Sequence, residues 1–324
     1  MRTLGLLLIV ALLAGCQISR PDNPTLNLGT GSSPSPGGSA VSGAWQPTAS
    51  LLVARGELAA AVVGRSIYAL GGASSASGLL GSVERYDPDK DAWTSVAAMP
   101  TARAYLAAAG LGDKLYAVGG IGPDKPYGTL EVYDPATNAW TTGPAMPTPR
   151  FGLGAAVLNG KLYTVGGLDA NGNALANVEV FDPSANAWSA LAPLPEPRGF
   201  LGVAATDGKL YALGGNTGNF ASALAEAYDP ASNTWSALPT LPKGRDRVAA
   251  AAIAGGVFAL GGTLPGLSTE VDRFDPQAGN WSAGPALTSA RGALAAVAFD
   301  NALWVIGGMD NTTTFGKVEF WPAS

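Results

Sequence analysis

Arginine recurs in this sequence at one fixed address. Arg55, Arg103, Arg150, Arg198, Arg245 and Arg291 each follow a tryptophan by 10 residues (Trp45 to Arg55) and precede a Gly-Gly pair by 16 (Arg55 to Gly71). A carboxylate recurs with them, as Glu84, Glu131, Glu179, Glu226, Asp272 and Glu319. Evenly placed guanidinium groups can form a positive collar that holds an anion. Six arginines matched by six acids at constant register can instead neutralise one another as ion pairs. Binding sites are rarely repeated identically six times, so these twelve residues are assigned as structural pairs.

Positions that differ between repeats suit recognition better. Two residues after each arginine stand Glu57, Tyr105, Gly152, Phe200, Arg247 and Ala293. Neighbouring segments add Phe151, Asp124, Lys125, Tyr127, Asn216, Asn219, Phe220 and Asp310. Aromatic rings beside amide, carboxylate and guanidinium groups suit a sugar, a peptide or a carboxylate ligand. The expected ligand-binding set is Glu57, Tyr105, Tyr127, Phe151, Phe200, Asn216, Phe220, Arg247 and Asp310. The bland alternative for each is a solvated loop position. Tyr68, Tyr116 and Tyr163, which recur at one register, are assigned to the core.

Several chemistries are excluded by what the chain lacks. It has no histidine, and Cys16 is its one cysteine. Ser–His–Asp and Cys–His catalysis and histidine-based metal sites are therefore ruled out. No catalytic residue, metal or cofactor is assigned. Asp169-Ala170-Asn171-Gly172-Asn173 is similar to the start of a calcium loop. Its glycine falls too early, however, and Val180 stands where a bidentate glutamate is needed, so it reads as a polar loop. With a net charge of −5 and no basic stripe, the chain lacks the electrostatic footprint of a nucleic-acid binder.

The spacing also defines the elements that must hold these residues. Gly-Gly pairs begin at Gly71, Gly119, Gly166, Gly214, Gly261 and Gly307, separated by 48, 47, 48, 47 and 46 residues. Tyr86, Tyr133, Phe181, Tyr228 and Phe274 each open an aromatic-Asp-Pro triplet and precede a tryptophan by 7 residues (Tyr86 to Trp93). Each repeat reads as four antiparallel strands. In the third, Ala155 to Leu158 begins the set, Lys161 to Val165 and Asn177 to Phe181 follow, and the last strand surrounds Trp188. Asn159-Gly160 and Asp207-Gly208 are the dipeptides that two-residue hairpins require. Alanine-rich first strands suit the crowded axis of a closed ring. Only the stretch from the second glycine to the aromatic slot varies, between 12 (Gly262 to Phe274) and 14 residues (Gly72 to Tyr86), which marks a surface loop.

A Gly-Gly pair, an aromatic and a tryptophan in this order resemble the kelch repeat, and the resemblance runs from residue 43 to 324. It implies an all-β, six-bladed β-propeller of four-stranded antiparallel blades. The last repeat stops after Val318-Glu319-Phe320-Trp321, with no fourth strand, while Trp45 ends a repeat that has no beginning. The segment around Trp45 is thus expected to supply the missing strand and close the ring; the alternative is an open array with a frayed end.

Arg2 and the apolar run Leu4 to Ala14 form a signal-peptide core too short to span a bilayer. Leu13-Ala14-Gly15-Cys16 resembles the bacterial lipobox, which implies cleavage before Cys16 and lipid on its sulfur. An ordinary signal peptide with an incidental cysteine is the competing reading. The expected organisation is a signal peptide over 1–15, the lipidated Cys16 with a Gly/Ser/Pro linker over 16–42, and the propeller over 43–324. Gln17 is not the aspartate that often retains lipoproteins in the inner membrane, which favours the outer membrane or cell surface.

The expected function is a membrane-tethered, non-catalytic binding module of the cell envelope. It acts as a monomer and docks a protein, peptide or glycan on the loop face. Kelch adaptors bind acidic peptides there through arginines, a role the resemblance offers to Arg247. Copper oxidases of the family need histidine and are excluded. A sugar-modifying enzyme similar to the six-bladed sialic-acid mutarotases is the alternative, with Glu57, Arg247 and Tyr105 as acid–base groups. A purely structural envelope protein is a third reading.

Overall fold

The computed structural model describes residues 43–323 apart from 219 and 265. The expected signal peptide over 1–15, Cys16, the expected 16–42 linker and Asn219 lie outside the described residues. The described chain is all β, with six four-stranded antiparallel sheets arranged as the blades of a propeller. The third blade is typical, with strands Gly154–Leu158, Lys161–Val165, Val178–Asp182 and Ala187–Ala190 in sequence order from the axis outward. Its first hairpin turns at Asn159 and Gly160, both at positive φ (50° and 71°), the conformation that asparagine and glycine tolerate. The first and fifth blades carry an additional two-stranded hairpin in the variable loop, Ala73–Ser74 with Gly78–Leu79 and Thr263–Leu264 with Gly266–Leu267.

The sixth blade is composite. Ala295–Phe299, Ala302–Ile306 and Val318–Pro322 form its inner three strands, and Gln46–Thr48 adds the outermost. The pairing is antiparallel, with Gln46 opposite Phe320 and Thr48 opposite Val318. The ring is closed by its first strand.

Two sixfold devices join neighbouring blades. The indole N–H of each of the six repeating tryptophans donates to a main-chain carbonyl in the preceding blade: Trp93 to Ala49 at 2.9 Å, Trp188 to Pro144 at 2.8 Å and, across the seam, Trp45 to Pro285 at 2.8 Å. The Gly-Gly pair forms the inner joint. Both glycines take positive φ, and the second donates its N–H to the next blade's arginine carbonyl, as Gly72 does to Arg103 at 2.9 Å. A Cβ on Gly71 would meet that same carbonyl at 2.7 Å, so a side chain is excluded by contact as well as by φ. Gly308 repeats the joint across the seam, donating to Arg55 at 2.9 Å.

The core lies between blades, where the tyrosines Tyr68, Tyr116 and Tyr163 are buried. At the axis the alanine-rich first strands surround a cavity of about 260 Å³, with Ala60, Ala108, Ala156, Ala204 and Ala250 on its wall.

Candidate functional site

The connection entering each blade carries its arginine inward, and all six guanidinium groups are fully buried. Arg55 meets Glu84 at 2.5 Å, Arg103 meets Glu131 at 3.1 Å, Arg245 meets Asp272 at 2.5 Å and Arg291 meets Glu319 at 2.6 Å. Arg150 pairs with Glu179, and Arg198 with Glu226. Each pair is internal to one blade, holding the incoming connection against the third strand. The acids receive further donors: main-chain N–H groups of Leu52 and Val53 on Glu84, and the hydroxyls of Thr101 and Thr148 on Glu131 and Glu179. Burial costs such pairs heavily unless the remaining lone pairs are engaged, as they are at Glu84, Glu131 and Glu179. Enclosed this way, the arginines present no collar to a ligand.

Two residues further on, the chain reaches the axis. Glu57, Tyr105, Gly152, Phe200, Arg247 and Ala293 form a ring, and every one has positive φ, between 49° and 61°. The twist aims five of the N–H groups at the neighbouring ring residue: Glu57 donates to Ala293 at 2.8 Å, Tyr105 to Glu57 at 2.8 Å, Gly152 to Tyr105 at 2.9 Å, Phe200 to Gly152 at 2.6 Å and Ala293 to Arg247 at 3.3 Å. Left-handed backbone costs a non-glycine residue roughly 1–2 kcal/mol. Five such residues at one ring mark a place where the surrounding structure over-determines the conformation.

The side chains of this ring plug the channel. Tyr105, Phe151 and Phe200 pack together, with ring centroids 4.8 Å apart for Tyr105–Phe200 and 5.9 Å for Phe151–Phe200. Phe200 lies across the third blade's position, where a Cβ on Gly152 would come within 2.8 Å of its ring. Arg247 stands 4.9 Å over the Phe200 ring and pairs with Asp246 at 3.4 Å. Between these side chains lies a cavity of about 100 Å³, lined by the six ring residues and an aliphatic girdle that includes Leu58, Leu153 and Val248.

Glu57 is the chemically distinctive member. It is 3% exposed, and neither carboxyl oxygen accepts a hydrogen bond of ordinary geometry. Burial pushes its pKa up to about 7, against smaller downward pulls from the nearby Tyr105 hydroxyl and the Arg247 charge. The Tyr105 hydroxyl is buried and also lacks a partner of ordinary geometry; burial first, then the Glu57 charge, holds it above the usual phenol range. Burial works against the Arg247 charge, but Tyr105, Asp246 and Glu57 together hold the guanidinium above its ordinary range.

Of the nine ligand-binding residues proposed from the sequence, Glu57, Tyr105, Phe200 and Arg247 meet at this cavity. Phe151 supports the aromatic plug. Asn216 stands behind it, donating to Asp246 at 3.0 Å. The other three do not line the cavity. Tyr127 folds over Gly122 in its own loop, Phe220 is 76% exposed, and Asp310 caps its own turn by accepting from Thr312 and Thr313 N–H groups. Asp169 likewise accepts from Asn171 and Asn173 within its loop, and no cluster of metal-ligating side chains occurs among the described residues. Asp246 escaped the sequence reading. The signal was present: it is the one carboxylate in the slot after the arginine, where the other repeats have Gly56, Ala104, Phe151, Gly199 and Gly292.

Comparison with known proteins agrees with this architecture. The family model described as "KLHDC2/KLHL20/DRC7 Kelch-repeats domain" matches residues 43–193 and again 141–308. The sequence matches no curated protein. Among solved structures, one titled "Structure of YjhT" superposes with a TM-score of 0.74 at 20% identity, covering 83% of this chain and 95% of that chain. At that identity the likeness concerns the fold. With matches to both halves of the ring and six blades joined by the same glycine and tryptophan devices, the chain belongs to the kelch-repeat family.

Proposed function

We propose that this protein is a membrane-tethered, non-catalytic binding module of the cell envelope. It docks a protein, peptide or glycan on the face formed by the variable loops and the blade connections. The observation that carries the reading is the plug at the axis. Small-molecule sites usually enclose about 300 Å³ or more, whereas the cavity lined by Tyr105 and Phe200 measures about 100 Å³. The loop surface, where Asp124, Lys125 and Phe220 are exposed, offers a ligand of ordinary size a docking face. Membership of the kelch family supports an interaction role, and the lipobox-like Leu13-Ala14-Gly15-Cys16 supports a lipid anchor at Cys16 in the outer membrane or at the cell surface. Closure of the ring completes the sixth blade and leaves only the short outer strands of the blades as sheet edges, consistent with a monomer.

One observation favours a second reading, a sugar-modifying enzyme of the sialic-acid mutarotase kind. Glu57, with a pKa near 7, lies beside Tyr105 and Arg247, and a carboxyl tuned to neutrality suits general acid–base work on a hemiacetal. The two readings separate in one experiment. The protein is incubated with glycan and peptide arrays, and sialic-acid anomer exchange is followed by NMR. Saturable array binding, weakened by Phe220→Ser, without faster exchange is the expected outcome. Accelerated exchange abolished by Glu57→Gln or Arg247→Gln would replace the module with the enzyme.

A further inference from the structure

The axial cavity has a charge and a hydrogen-bonding pattern of its own. Three buried oxygens at its rim lack partners of ordinary geometry: the two carboxyl oxygens of Glu57 and the hydroxyl of Tyr105. The charged groups near Glu57 come from the fifth blade's entrance, where Arg247 is offset by Asp246 at 3.4 Å. Tyr105 is the titratable neighbour from the second blade, and Gly152, Phe200 and Ala293 bring no charge. Formal charges of Glu57, Arg247 and Asp246 therefore sum to −1. An anionic guest would meet this negative balance with Arg247 already engaged by Asp246 and the Phe200 face. Water would offer donors but no compensating charge to a carboxylate held among Leu58, Phe200 and Leu294.

Size narrows the guest further. A water molecule takes about 30 Å³ of liquid, so a cavity of about 100 Å³ admits roughly three non-hydrogen atoms. An ammonium group carries three N–H donors and no acceptor, matching three acceptor oxygens. The aromatic rings of Tyr105 and Phe200 suit a cation, and the aliphatic girdle suits methylene carbons.

We propose that the axial cavity binds a primary ammonium group on a short aliphatic stem, received by both carboxyl oxygens of Glu57 and by the Tyr105 hydroxyl. The same chemistry is carried by a free small amine and by a lysine side chain of a protein docked above. The site is distinct from the loop surface, and docking there stands or falls separately.

The test titrates the full-length protein with methylamine, ethylamine and Nα-acetyl-lysine amide, with acetate as the opposite-charge control, using saturation-transfer NMR and calorimetry. Saturable binding of the amines, and not of acetate, is expected at pH 8. Because the ionised form of Glu57 is the receptor, affinity should fall about tenfold or more between pH 8 and pH 5.5. Glu57→Gln should weaken binding by at least tenfold and remove the pH dependence, while Arg65→Gln, on the exposed far rim, changes neither. Binding by free amines alone identifies a small-molecule site, and binding by the blocked lysine as well identifies a protein side chain. The proposal is overturned by any of three results: no saturable amine binding at either pH, acetate binding as well as the amines, or Glu57→Gln binding as tightly as the parent. Should Glu57→Gln fail to fold, the parent's pH profile together with Tyr105→Phe still decides, since an affinity independent of both contradicts the site. A negative amine titration leaves the array result untouched.

Discussion

Glu57 differs from the other buried carboxylates of the ring in having no arginine dedicated to it. Glu84 and its five counterparts each face a guanidinium, whereas Glu57 faces a phenol and an arginine already engaged by Asp246. The folded protein therefore favours the neutral carboxyl. Its folded pKa of about 7 lies above the ordinary value of 4.5, so between these the folded state holds more protons than the unfolded chain. The stabilising contribution is complete below the unfolded value and is lost as pH rises through about 7. Glu57→Gln, which keeps the shape and removes the charge, should gain on the parent as pH rises. The expected difference approaches 2–3 kcal/mol, on the order of two pKa units, at pH 8 and is small at pH 5. Thermal melts of both proteins across that range check it; parallel melting curves would show that the group titrates normally.

The connecting segment is the element that organises each blade. Its arginine side chain closes on the third strand, its carbonyl receives the preceding blade's glycine N–H, and its end turns into the axial ring. Breaking one member exposes how the parts depend on each other. Arg150→Met leaves Glu179 buried with only a threonine hydroxyl and should cost roughly 3–5 kcal/mol. Adding Glu179→Leu should recover most of the loss, because the uncompensated charge is the main penalty. Denaturant unfolding of the single and double variants reads this directly; a double variant no better than the single would mean that lost packing dominates. Much at this scale was legible beforehand. Constant Trp-to-Arg and Arg-to-Gly spacings mark positions that contact the same groups in every blade, and the truncated last repeat with the orphan Trp45 implied the seam. The axial ring was only partly legible. Spacing places Glu57 and its counterparts at one register, but says nothing of their depth, because the left-handed turn that swings them inward is occupied by Glu, Tyr, Phe, Arg and Ala as well as Gly. Loop residues such as Phe220 and Asp310 lie outside the axial cavity, a separation that sequence spacing does not show.

At the scale of the whole molecule, the seam makes the first and last described strands mutually dependent. Trp45 is 6% exposed and packs among Leu303, Val305 and Trp321 while its indole bonds the fifth blade's Pro285 carbonyl. Trp45→Ala should cost about 3–5 kcal/mol, the scale for a buried tryptophan, and lower the melting temperature of the entire ring rather than of one blade. A scanning-calorimetry trace with a separate early transition, or no shift, would contradict that dependence. The same seam places both chain ends on one side of the ring. Gly43 lies against Trp321, whose indole donates to its carbonyl at 3.2 Å, and Ala323 bonds Asn301 in the sixth blade's first hairpin turn. Both ends of the described chain thus leave from the rim of hairpin turns, on the side away from Glu57, Tyr105 and Phe200. If Cys16 carries lipid as proposed, the chain would approach the membrane from the hairpin-turn rim and leave the ring of Glu57, Tyr105 and Phe200 on the opposite side.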